Sequence, residues 1–201
     1  EAGGYIHWGA TTQNITQTGK LLLVKQFHQV FLEKILKLLS VLSDLALETK
    51  HYALPGRTHG QHAVPATFGY KVAVWIDEII RHFHRFKNSE ERVFVTMLGG
   101  GAGTMASVGM EGLETQKLMA EELGFTSMSM PARTIGDHLT EYILNLAMFA
   151  ATSSKMAREI YTLMKQEFGE VEEPVPDGAV GSSTMPQKRN PRNSQDIVAW
   201  A

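Results

Sequence analysis

Apolar side chains between residues 18 and 53 fall at Leu23, Phe27, Val30, Phe31, Leu38, Val41, Leu42 and Leu45. Lys25, Glu33, Lys34, Lys37, Asp44 and Glu48 take wet positions between them. Steps of three and four are the helical period, not the two-residue alternation of a strand. The spacing predicts a first long helix from about Thr18 to Ala53, stopped by Pro55-Gly56. A second is expected to begin near Pro65, a residue suited to a first helical turn, and to run through Trp75, Ile79 and Phe86 to about Leu98. Gly99–Gly103 ends it, because consecutive glycines are poor helix interior. Gly112–Leu123 reads as a shorter helix stopped by Gly124. Asp137 is a plausible cap for a third long helix reaching about Phe168. No turn dipeptide such as Asn-Gly sits between two alternating runs, so no hairpin is expected.

Helices of roughly 30 residues are about 45 Å long at 1.5 Å per residue, which favours an all-α fold built as a long-helix bundle. Runs such as Leu21-Leu22-Leu23-Val24 are apolar around much of the helix circumference. A helix wetted by apolar residues on several faces is central or covered by a partner chain, so self-association is expected. Gly169–Gly181 is acidic and rich in Pro and Gly, and reads as a mobile loop.

Composition narrows the chemistry. With 43% hydrophobic and 20% charged residues, the 201 residues are enough to bury a core. Nineteen Lys and Arg against 21 Asp and Glu leave no broad basic face for nucleic acid. The absence of Cys excludes disulfides, thiolate metal sites and a Cys nucleophile. No apolar run is long enough for a spanning helix, so no membrane partner is expected. Glu1 is not an initiator Met, and an apolar Ile197–Trp200 run precedes Ala201, so the chain is expected to be a fragment.

Polar chemistry collects in three segments between the helices. The first, His7-Trp8-Gly9-Ala10-Thr11-Thr12-Gln13-Asn14, sets hydroxyls and amides before a helix, where free N–H groups can help bind an anion; alternatively Thr16 or Thr18 simply caps the helix. The second, Gly56-Arg57-Thr58-His59-Gly60-Gln61-His62, offers two imidazoles suited to proton transfer or to surface hydrogen bonding. A metal site there is not expected, because no HExxH pattern and no Cys accompany the imidazoles. The third, Gly181-Ser182-Ser183-Thr184-Met185-Pro186-Gln187-Lys188-Arg189-Asn190-Pro191, places a hydroxyl in a flexible turn with a cation following; it reads equally as a solvated basic turn. It is not a GxSxG elbow, since no strand precedes it.

These three segments, in this order and separated by long helices, resemble the fumarase/aspartase lyase superfamily. Gly181–Pro191 is similar to its signature loop, Thr58-His59-Gly60-Gln61 to its second region and His7–Asn14 to its first. The nearest branch is that of adenylosuccinate lyase and 3-carboxy-cis,cis-muconate cycloisomerase. The resemblance implies the central domain of a cytoplasmic homotetramer, with a twenty-helix core and active sites shared between subunits. Residues 1–201 would cover that domain, and the N-terminal and C-terminal domains of full-length members would be missing. It implies β-elimination from a succinyl-type substrate with release of fumarate, without metal or organic cofactor. By motif position Ser182, the first of the Ser182-Ser183 pair, is the base and His59 the general acid. Lys188 and Asn190 hold the substrate carboxylate, and Thr58, Gln61, Thr11, Thr12 and Ser183 are secondary contacts.

Departures bear on the substrate. Thr11-Thr12-Gln13-Asn14 stands where the family usually has Thr-Ser-x-Asp, and Gly136-Asp137-His138 where adenylosuccinate lyases carry Arg-Asp-Arg. Gln195 replaces the Glu often found seven residues beyond the signature Lys. Thr58–Gln61 is in the style of adenylosuccinate lyase, whereas His7–Thr11 and Glu167–Val171 look more like the cycloisomerase. The retained His59 favours an adenylosuccinate-lyase-like activity acting in purine biosynthesis. The cycloisomerase is the nearest alternative, and a non-catalytic helical bundle the alternative of a different class.

Overall fold

The computed structural model describes residues 2–201, and helices dominate them. Three are long: α1 (Thr12–Glu48), α2 (Phe68–Val93) and α4 (Asp137–Leu163). Two are short: α3 (Gly112–Leu123) and α5 (Arg192–Trp200). The four strands are β1 (Ala53–Thr58), β2 (Gln61–Thr67), β3 (Val95–Thr96) and β4 (Thr126–Ser127), forming one antiparallel pair (β1–β2) and one parallel pair (β3–β4). The chain divides into two compact units, one made of residues up to Lys37 with Phe83–Asn145, the other of Leu38–His82 with Leu146–Ala201. Among the described residues no helix is long and apolar enough to cross a membrane.

The expected long helices are therefore present, but the stretch after α1 is not the expected loop and helix. Residues 53–67 form a hairpin, and α2 starts at Phe68 and not near Pro65. Pro65 sits in β2 facing Pro55, a placement open to proline only where a strand need not donate on both sides. The turn is His59-Gly60, with φ of 49° and 75°. Positive φ at both central positions of a two-residue loop is the type I′ pattern, whose twist matches that of the flanking strands. The sequence offers no Asn-Gly there; His-Gly meets the same demand, because His is among the few residues that tolerate left-handed φ.

The other boundaries follow local chemistry. Helix α1 begins at Thr12, six residues earlier than expected, and neither Thr16 nor Thr18 caps it. Asn14 reaches back so that its Oδ1 accepts the Thr11 N–H at 3.0 Å, half of a capping box. The Thr18 hydroxyl donates to Asn14 O at 2.7 Å from inside the helix. Helix α3 spans the expected residues and ends at Gly124, whose φ of 62° lets its N–H reach the Ala120 and Glu121 carbonyls. Helix α4 begins at Asp137 as expected but stops at Leu163.

In the first unit Leu21, Ile35, Phe86, Val93 and Met97 are buried. At its centre the Tyr142 hydroxyl donates to His28 Nδ1 at 3.3 Å, and His28 Nε2 donates to Glu90 at 3.0 Å. Burial pushes the Tyr142 hydroxyl up to about 12. Burial alone would raise the Glu90 carboxyl, but hydrogen bonds from Lys87 and His28 outweigh it and hold the group below its ordinary value. In the second unit Leu42, Val72, Trp75, Ile79, Ala157 and Leu163 form the core. Gly69 lies where α2 begins against the end of α1; a Cβ there would sit 2.5 Å from Ala46 O and 2.7 Å from the Lys50 backbone. Its N–H donates to Thr49 O at 3.1 Å, so this contact fixes where the hairpin rejoins the helices.

Candidate active site

Ser182 lies partly buried in a turn of residues 182–188, and its Oγ accepts backbone N–H groups from Met185 at 3.2 Å and Thr184 at 3.4 Å. The loop then closes on itself. Asn190 Nδ2 donates to Gly181 O at 2.9 Å, and a Cβ on Gly181 would stand 2.9 Å from Lys188 O. Asn190, expected to hold a substrate carboxylate, thus spends one amide N–H on fastening the two ends of the loop. Ser183 and Lys188 are exposed. The loop and the end of α4 enclose a cleft of about 620 Å3 lined by Tyr161, Lys165, Met185, Gln187, Lys188 and Arg189, among others. Three cations in one cleft suit a carboxylate-bearing ligand.

Three carboxylates of the acidic segment make contacts on or around this loop: with the start of α5, with Arg189 of the loop and with the hairpin. Glu173 accepts the Asn193 and Ser194 backbone N–H groups at 3.0 and 2.9 Å and the Ser194 hydroxyl at 2.6 Å. It supplies from outside the cap that Pro191 cannot give α5. Burial works to raise the Glu173 carboxyl, but these donors outweigh it and hold it below its ordinary value. Arg189 Nε donates to Glu172 at 2.9 Å. Glu170 takes both ends of the Arg57 guanidinium. The first part of Gly169–Gly181, read from sequence as a mobile loop, is therefore anchored at residues 170, 172 and 173.

Thr58, His59 and Gln61 stand at the tip of the hairpin, all exposed. Among the described residues no hydrogen bond or ion pair joins His59 to Ser182 or Lys188 of the same chain. Thr11 and Thr12 belong to the other unit, at the head of α1. There Asn14 is fully buried, and its Oδ1 also accepts the Gly100 N–H at 3.2 Å. The amide that departs from the family pattern is thus a backbone clasp. His138, in the other departure, is buried too, where Gln17 Nε2 donates to its Nε2 at 3.0 Å. Gln195 is exposed on α5. Sequence reading missed the roles of Asn14, Glu170 and Glu173; the one available signal was three carboxylates in a segment too short to be an acidic tail.

The sequence pattern of the family described as Lyase matches residues 1–199. The chain belongs to that family, within the fumarase/aspartase superfamily. It is 41% identical over 198 residues to an adenylosuccinate lyase of Methanocaldococcus jannaschii, covering 98% of this chain and 43% of the relative. It is 39% identical over 199 residues to an N-acetyl-S-(2-succino)cysteine lyase of Dickeya dadantii, covering 99% and 44%. Its fold matches the crystal structure of 3-carboxy-cis,cis-muconate lactonizing enzyme from Pseudomonas putida with a TM-score of 0.88 at 34% identity, over 97% of this chain and 42% of that one. The chain of this lyase-family member thus spans less than half the length of the relatives it matches.

Proposed function

We propose that this chain is the central helical section of a longer lyase that eliminates fumarate from a succinyl-type substrate, in the manner of adenylosuccinate lyase. The observation that carries the reading is the environment of Ser182. A free hydroxyl is far too weak an acid to act as a base near neutrality, but its Oγ already accepts two backbone N–H groups, and these stabilise an alkoxide more than an alcohol. Ser182 takes the proton from the carbon next to a carboxylate. Lys188 steadies the charge that develops on that carboxylate, with the remaining capacity of Asn190. His59 delivers a proton to the leaving nitrogen. Thr58, Gln61 and Ser183 are secondary substrate contacts, and Thr11 and Thr12 at the head of α1 are further candidates.

Because the hairpin and the signature loop share no hydrogen bond in one chain among the described residues, a copy of this chain supplying His59 to a neighbour's Ser182 is part of the reading. A homotetramer with a twenty-helix core satisfies it. The face of α1 bearing Leu23, Phe27, Val30 and Val41 is between 51% and 67% exposed, as an unfilled subunit contact requires. Neither metal nor organic cofactor enters this chemistry. A cytoplasmic enzyme of purine biosynthesis is the corresponding physiological assignment.

Two of the matched relatives are named for succino compounds, adenylosuccinate and succinocysteine, which favours a succinyl donor over a muconate. The cycloisomerase remains the alternative through its fold match. The non-catalytic bundle gains no support, since a structural role needs neither Ser182 nor Lys188. The test is to offer the full-length protein adenylosuccinate, N-acetyl-S-(2-succino)cysteine, argininosuccinate and carboxymuconate separately, following ultraviolet absorbance. Turnover of adenylosuccinate, lost at least 1000-fold in Ser182→Ala with substrate binding retained, is expected. Turnover of carboxymuconate alone, or undiminished activity of the variant, would overturn the reading.

A further inference from the structure

The hairpin that carries His59 lies between the end of α1 and the start of α2, and its side chains make few hydrogen bonds to the rest of the unit. Among the described residues, one side chain of residues 53–66 makes a hydrogen bond to another element: Arg57, two residues before His59. Its Nη1 donates to Glu170 Oε2 at 3.1 Å and its Nη2 to Oε1, a fork-to-carboxylate pair. The Phe168 ring covers the guanidinium at 4.8 Å, and each partner's side chain is only 16% exposed. An ordinary surface ion pair contributes little, but a bidentate, stacked and largely buried one resists both salt and side-chain entropy.

Both ends of this contact are stiff. The register passes from Gly56↔Val64 to Arg57↔His62, leaving Ala63 as an extra residue on β2. A bulge twists the ribbon and re-aims the side chains beside it, and here it lies opposite Arg57. Glu170 is anchored because its N–H donates to Leu163 O, the last residue of α4, at 3.0 Å, after a turn in which Gly169 N–H reaches Lys165 O at 2.8 Å. The pair thus joins the root of the hairpin tip to the segment that leaves the end of a long helix. Arg57 holds the Glu170 carboxyl below its ordinary value, so the pair stays ionised at neutral pH.

We propose that Arg57 and Glu170 are positioning residues that hold the His59 turn at a fixed height above the bundle, so that catalysis senses their loss through His59 alone. The proposal rests on the lyase reading for its effect on rate, but not for its effect on the hairpin. Arg57→Gln and Glu170→Gln in the full-length enzyme are each expected to lower kcat 10- to 100-fold with KM changed less than threefold. The double variant should be no worse than the poorer single one, and Arg57→Lys should recover part of the rate. In a His59→Asn background, where Asn keeps the left-handed turn, Glu170→Gln should cause no further loss. Independent multiplication of the two effects would overturn the proposal. Hydrogen–deuterium exchange supplies a readout that needs no turnover: in Glu170→Gln, peptides covering 53–67 should exchange faster while those covering 112–123, in the other unit, do not. Faster exchange in both, or in neither, also overturns it. A wild-type enzyme silent on every acid would reject the lyase reading and leave the exchange experiment to decide the latch.

Discussion

At the level of single residues, polar side chains near the expected substrate positions turn out to be engaged inside the fold. Asn14 and His138 occupy the two places where the chain departs from its family's pattern, and both are buried and hydrogen-bonded within one unit. His138 has a measurable consequence. Burial depresses its imidazole below the ordinary value, against a weaker upward pull from Asp137. The unfolded chain, titrating near the ordinary value of about 6.5, then binds a proton more readily than the folded one, so stability falls as pH drops through that value. Wild-type protein should lose more Tm between pH 7.5 and 5.5 than His138→Gln, which keeps a polar partner for Gln17 without a titrating group. An identical loss in both would show that the imidazole is not linked to folding. The depressed carboxyls of Glu90, Glu170 and Glu173 act in a lower window, their contributions present above about 4.5 and lost as pH falls below it.

Among the elements, the helices were legible and the hairpin was not, for a physical reason. A period of 3.6 repeats many times over a 27- or 37-residue helix, so α1, α2 and α4 declare themselves despite frayed boundaries. The hairpin has only six and seven residues in its strands, contains Pro55 and Pro65, and is exposed along much of β2, so no alternation survives to mark it. Ser182, His59 and Lys188 are candidates through motif likeness alone, whereas the contacts around them are invisible in the sequence, because a carboxylate that caps a helix twenty residues away leaves no local trace. Glu173 is the clearest of these. Glu173→Ala removes the acceptor for two backbone N–H groups and the Ser194 hydroxyl, and is expected to fray the start of α5 at a cost of about 1 kcal/mol. Limited proteolysis followed by mass spectrometry should then find faster cleavage between residues 174 and 191, with the α3 region unaffected. Equal cleavage of variant and wild type would mean that the neck of the loop is held by other contacts.

For the whole molecule, the apolar positions that mark α1 divide between an exposed face and an inward one. Leu23, Phe27, Val30 and Val41 are exposed, while Leu21, His28, Ile35 and Leu42 face inward. Periodicity reveals a helix but not which of its apolar faces the chain itself will cover. If copies of this chain cover the outer one, Leu23→Asp combined with Val30→Lys should lower the mass measured by analytical ultracentrifugation at micromolar concentration, with helical circular dichroism retained. An unchanged mass would assign that stripe to something other than self-association. The hairpin turn adds a restriction on sequence change. Two successive left-handed residues leave a short alphabet at position 59, in which Asn, Asp and Gly sit comfortably and His is tolerated. A lineage that abandoned the imidazole while keeping the turn would draw its substitute from those three, none of them a proton donor of matching strength near neutrality, and under the role proposed for His59 its chemistry would have to find that proton elsewhere.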